Sequence, residues 1–187
     1  MPSSTPYPCP LPHPGSALVP RDTDSPRPAP RFHLELHGAG PVGQAIVKLL
    51  VDVDCTVRWI DARSDQADLS LQTPVNLPAH IQHVPTEDAV AEVAEAPPGA
   101  RHLVLTHRHA LDLPIVRAVL ARGDFTSLGM LGSEAKRARF VAQLAEGGAS
   151  DASLQRLVCP IGLPGILGKA PAVIAIATVA QLLQGTR

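Results

Sequence analysis

Six residues constrain this chain more than any others. Gly38-Ala39-Gly40-Pro41-Val42-Gly43 stands between a short strand-like run, residues 32–36, and a segment 42–51 that is apolar at Val42, Ile46, Leu49 and Leu50. The order is strand, tight turn, helix. In such a GxGxxG turn the first glycine permits the sharp bend and the second removes a side chain where a pyrophosphate would approach. The third lets helix and strand pack closely. The N-terminus of the helix adds free N–H groups and the positive end of its dipole. Gly38, Gly40, Pro41, Val42 and Gly43 are therefore candidate contacts for a nucleotide-like or phosphate-bearing ligand. The competing reading is a sheet whose glycines serve packing alone.

The rest of the chain repeats the same alternation. Residues 56–60, 80–84, 102–106, 125–131 and 158–162 read as further strands. Helices are expected over 87–95 with Thr86 as N-cap, over 110–121 ended by Gly123, and over 134–145 opened by Ser133. Shorter and final helices fall at 151–157, capped by Ser150, and at 171–184. Strand and helix in alternation imply right-handed crossovers and a parallel sheet covered on both faces. The fold class is thus α/β, a doubly wound, Rossmann-like sheet. Its ligand crevice is expected at the carboxyl ends of the strands.

Residues 1–30 are different material. Ten of the chain's 20 prolines lie there. Proline fixes φ and removes backbone donors, so neither a helix nor a central strand is expected. The stretch reads as a disordered arm before a domain at 31–187. It has no apolar run of signal-peptide length. The uncharged stretch from Ala170 to Thr186 reads as a helix buried on the sheet rather than a membrane span.

Candidate polar residues gather at the predicted strand ends. Asp61 ends the second strand, 18 residues after Gly43, where a carboxylate can accept hydrogen bonds from ribose hydroxyls. Arg63, two residues on, either favours an extra phosphate or is simply solvated. Thr106, His107 and His109 follow the fourth strand, with Asp112 close behind. They read as ligand contacts or helix caps, since their spacing is no signature of a metal site. Gly132 and Ser133 offer a second helix N-terminus to the same crevice. Lys136 and Arg137, one turn in, either reach a phosphate or stay solvated. The glycines at 162, 165 and 168 form no Walker A loop. Cys159, just before them, reads as a small buried residue.

Composition narrows the function. The formal net charge is −1 and only five residues are aromatic, which argues against a nucleic-acid partner. The three cysteines, at 9, 55 and 159, make no CxxC and no disulfide framework; a reduced, cytoplasmic protein is expected. No GxSxG, HExxH or paired-carboxylate motif is present. That absence favours binding over turnover.

Five ordered segments carry a resemblance. LHGAGPVGQAIVKLL, WIDAR, LVLTHRHALDLPIVRAVL, LGMLGSEAKRARF and PIGLPGILGKAPAVIAIATVAQLL resemble, in that order, the Rossmann domain of the xanthine dehydrogenase accessory family (XdhC/CoxI type) over about residues 33–184. The resemblance implies a chaperone that binds the molybdenum cofactor in its molybdopterin form. It implies delivery to apo-xanthine dehydrogenase or a related molybdenum hydroxylase, alongside a cofactor-sulfurating enzyme. The family's longer members carry a further N-terminal domain, where this sequence has the proline-rich arm. Glutamates common in the family's last helix are replaced by Ala172-Val173 and Ala180-Gln181. Two other classes compete. One is an NAD(P)-dependent oxidoreductase, with Asp61 on the dinucleotide, His107 or His109 handling a proton, and a homodimer completing the site. The other is a nucleotide-binding regulatory or scaffold module working through its arm.

Overall fold

The computed structural model describes residues 29–62 and 76–184, with His109 described by its backbone alone. Six strands form one parallel sheet: β1 (His33–His37), β2 (Thr56–Asp61), β3 (Ile81–Pro85), β4 (Arg101–Val104), β5 (Ser127–Met130) and β6 (Leu157–Val158). Their order across the sheet is β3-β2-β1-β4-β5-β6. The chain starts at the centre, winds outward to β3, and returns to β4 beside β1. The gap between the carboxyl ends of β1 and β4 is the point where winding reverses, and crevices open there in sheets of this topology.

Helices cover both faces. α1 (Pro41–Leu50) and α5 (Pro171–Leu183) lie side by side on one. Their core holds Leu34, Leu36, Ile46, Leu50, Val57 and Trp59. The other core joins Val104, Leu128 and Met130 to α2 (His109–Arg122), α3 (Glu134–Glu146) and α4 (Asp151–Gln155) through Ile115, Val116, Val119, Phe140, Leu144 and Leu154. Buried apolar surface on two faces is the main favourable contribution to such a sheet.

The expected caps occur where hydroxyls or glycines stand ready. Ser133 Oγ accepts from Lys136 N–H, and Ser150 Oγ accepts from Ser153 N–H. Gly123 ends α2 at φ +73.

Three expectations change. The helix expected over 87–95 is only a 3₁₀ segment, Ala91–Glu95. Asp88 is the reason: its Oδ1 accepts from the N–H groups of both Val90 and Ala91, so the helical turn starts there and not at Thr86. Pro97 and Pro98 then leave no length for an α-helix. The strand expected over 158–162 is the two-residue β6. The chain leaves the sheet after Val158 because Ile161 turns into the α1–α5 core. Finally, β5 starts at Ser127, not 125: Phe125 is buried in the core that α2 and α4 share and meets the His102 ring edge-on.

The proline-rich arm lies outside the described residues but for Ala29 and Pro30. Among the described residues no helix is long and apolar enough to cross a membrane.

Candidate functional site

The site is built at the carboxyl ends of β1, β2, β4 and β5. β1 ends at His37, and Gly38 bends the chain at φ +129. A Cβ on Gly38 would overlap the Leu105 carbonyl, and one on Gly43 would overlap the Gly38 carbonyl. Both glycines are thus required by close approach of backbone to backbone. Gly40 differs. Its φ of −71 suits any residue, and among the described residues a Cβ there would meet nothing within 4 Å. Gly40 is the N-cap of α1, with Pro41 at the first helical position. Serine, threonine or aspartate would cap this helix better than glycine does. Without a capping side chain, the first amides of α1, including Val42 and Gly43, keep their approach clear.

The turn is held firmly. Gly38 N–H donates to Ile60 O at 2.9 Å, and Leu105 N–H to His37 O at 2.9 Å. The Trp59 indole, fully buried in β2, donates to Gly38 O at 3.1 Å. Trp59 also meets the edge of His83. His83 Nε2 lies 3.3 Å from Asp61 Oδ2, and Thr86 N–H donates to Asp61 O. Asp61, 7% exposed, therefore ends β2 as a fixed carboxylate connected through His83 and Trp59 to the glycine turn.

Across the winding reversal, Thr106 follows β4 and lies against Gly38. Its Oγ1 is 2.6 Å from Asp112 Oδ1 and 2.8 Å from Arg108 O, and its N–H donates to Asp112 Oδ1 at 3.3 Å. Asp112 Oδ2 accepts from Lys136 Nζ at 2.6 Å. The β4–α2 turn and α3 are thereby tied together. Thr106, Gly132 and Ser133 share a cleft of about 550 Å³ with Lys136 and Arg139. A Cβ on Gly132 would come within 2.7 Å of Lys136 Cδ and 3.1 Å of Cys159 Sγ, so this glycine lets the lysine stem lie flat. Burial pushes the Cys159 thiol up, opposed in part by Lys136.

Of the residues picked from sequence, the glycine turn, Asp61, Thr106, Gly132 and Ser133 stand at one end of the sheet. The cleft itself is lined from the β4 and β5 side, and neither Asp61 nor the glycine turn lines it. His107 is exposed beside Thr106. His109 is the first residue of α2, and its side chain lies outside the described residues, as does Arg63 entirely.

Sequence reading passed over Trp59, His83 and the full part of Asp112. It also passed over a buried polar column on β1. Glu35, fully buried, pairs with His33 at 2.7 Å and with Arg58 at 3.0 Å; Arg58 continues to Glu92. His37 stacks on His102, with Nε2 and Nδ1 3.4 Å apart. Burial, then the neighbouring His102 and Arg58, lower the His37 pKa to about 3. Burial foremost lowers that of His102 to about 4. The alternation His33-Leu34-Glu35-Leu36-His37 was the available signal: period two, with polar residues on a strand that must be buried.

Central β1, the winding reversal beside it and the glycine turn above it define an α/β protein of the Rossmann class. More narrowly, the chain belongs to the family described as the XdhC Rossmann domain, whose model matches residues 34–182. Among solved structures the chain is similar to a Bacillus halodurans protein described as a xanthine dehydrogenase. Identity is 26% and the TM-score 0.62, over 82% of this chain and 42% of that one. The chain thus spans less than half the length of that relative. No curated protein matches.

Proposed function

We propose that this chain is an accessory protein of the xanthine dehydrogenase system that binds the phosphate-bearing pterin of the molybdenum cofactor. The observation that carries the reading is Gly40. Packing accounts for Gly38 and Gly43; among the described residues neither packing nor backbone conformation accounts for Gly40. A glycine at a helix N-terminus with space before it suits an anion drawn close to the α1 amides. Thr106, Gly132 and Ser133 stand across the reversal for the remainder of the ligand, and the Asp61 carboxylate, held beside His83, would accept from a ribose of a dinucleotide form. When bound, the cofactor supplies a molybdenum held by its dithiolene. This chain's residues hold, orient and shield it until transfer to apo-xanthine dehydrogenase or a related hydroxylase, with a cofactor-sulfurating enzyme as a further partner. Family membership and the likeness to the B. halodurans protein support the system.

The test is anaerobic loading with isolated molybdopterin cofactor. Gel filtration and fluorescence of the oxidised pterin follow, with excess NAD as competitor. The expected result is pterin carried with the protein, unmoved by NAD, and lost in Gly40→Asp. Pterin retention equal in wild type and Gly40→Asp would remove the glycine turn from the site. Displacement by NAD would favour the dinucleotide-dependent oxidoreductase instead.

A further inference from the structure

The cleft between the β4–α2 and β5–α3 turns holds an ion pair with a direction. Asp112 is 1% exposed and lines no part of the cleft. Its Oδ1 takes the hydroxyl and N–H of Thr106, and its Oδ2 takes Lys136 Nζ. The Lys136 side chain is 11% exposed, reaches Leu131 O at 3.0 Å and lines the cleft. Arg139, three residues on and therefore on the same side of α3, also lines it and is exposed. The acid in the first turn of α3, Glu134, is exposed and lines no part of the cleft. The acidic end of the pair thus faces the protein and the two cations face the opening.

Stability is a poor reason for this arrangement. Desolvating a lysine and an aspartate together is costly. A well-packed apolar pair of the same volume commonly stabilises as much or more. Gly132 adds to the case. Its missing side chain leaves room for the lysine stem, so the β5–α3 turn is shaped around Lys136.

We propose that Lys136 and Arg139 receive a phosphate or diphosphate group of the ligand in this cleft, and that Asp112 is a positioning residue acting through Lys136. This deepens the reading above: one anionic group of the ligand lies at the α1 amides, and this cleft, which the glycine turn does not line, takes a further one, as in a dinucleotide form; only the pterin itself rests on that reading. Asp112 fixes the ammonium at the cleft wall. The pair is neutral overall, so Lys136 contributes N–H donor geometry, while the net positive charge facing an incoming oxyanion is that of Arg139, whose planar fork suits two oxygens.

The experiment is calorimetric titration of the full chain with inorganic pyrophosphate at low and high salt. Three proteins are compared: wild type, Asp112→Asn/Lys136→Met, and Arg139→Gln. The double change removes the two charges of the pair together. It is expected to keep a cooperative melt yet bind about tenfold more weakly. Arg139→Gln alters an exposed side chain and is expected to bind several-fold more weakly, with a shallower salt dependence. No binding by wild type, or binding by Arg139→Gln equal to wild type, overturns the proposal. So does a folded double variant that binds like wild type. If the double variant fails to fold, the wild-type and Arg139→Gln titrations decide. Pyrophosphate binding that depends on these residues, without molybdopterin retention, upholds the cleft and overturns the pterin.

Discussion

The Trp59 indole N–H donates to the Gly38 carbonyl at 3.1 Å, joining the middle of β2 to the first residue of the glycine turn. That carbonyl also lies where a side chain on Gly43 would fall. One oxygen therefore sits against both the sheet and the helix. Trp59→Phe removes the donor together with part of the buried ring system, leaving Gly38 O without this partner and a small cavity in the core. A loss of about 1–2 kcal/mol is expected in urea unfolding followed by circular dichroism. An unchanged midpoint would mean that the turn is held by its backbone bonds alone.

The glycines of the turn should separate cleanly. Gly43→Ala forces a methyl into the Gly38 carbonyl and is expected to cost about 1–3 kcal/mol as α1 shifts. Among the described residues Gly40→Ala meets open space at an ordinary φ, and it should change stability by less than about 0.5 kcal/mol. Its effect is expected in ligand retention instead. Equal thermal destabilisation by the two changes would assign Gly40 a packing role.

Acid should weaken the fold through His37 and His102. Both are held neutral by burial, with pKa values lowered to about 3 and about 4 from an ordinary 6.5. The unfolded chain takes up protons on these side chains below about pH 6.5, and the folded chain does not until far lower. Their neutral burial therefore causes no loss above pH 6.5. Stability then falls as the pH drops toward 4 and 3, by up to about 1.4 kcal/mol per pH unit for each histidine. Glu35, Arg58, Arg122 and Asp124 supply the surrounding charge. The urea midpoint should be clearly lower at pH 5 than at pH 7, and His102→Gln should make that dependence shallower. A flat profile between pH 7 and pH 5 would contradict the buried neutral pair.

Cys55 and Cys159 are both buried reduced thiols, and burial pushes the Cys159 thiol up. Reactivity follows the exposed thiolate. Native protein at neutral pH should alkylate slowly with iodoacetamide at both positions, and quickly in urea, as read by peptide mass spectrometry. Rapid native labelling of Cys159 would show that the floor beneath Gly132 opens in solution.

Much of this molecule was legible before any tertiary contact was known. The GxGxxG spacing specifies a bend, an approach and a helix start within six residues, and Ser133, Ser150 and Gly123 mark their helix ends through bonds to near neighbours. Local chemistry of that kind acts over a few residues, so it can be read from a few residues. The 3₁₀ segment at Ala91–Glu95 shows the edge of this power: Asp88 and Thr86 are both capping residues, and it is the Asp88 carboxylate that accepts from the N–H groups two and three residues on.

Sequence spacing was therefore sufficient for the α/β alternation, the glycine turn and the placing of Asp61 at a strand end. The folded structure alone decided that Trp59 braces Gly38, that His83 holds Asp61, and that Asp112 reaches across 24 residues to Lys136. Periodicity tells which face a side chain takes, but not which side chain from another element will meet it there. That meeting follows from the order β3-β2-β1-β4-β5-β6, which brings β1 beside β4 and so sets the glycine turn against Thr106.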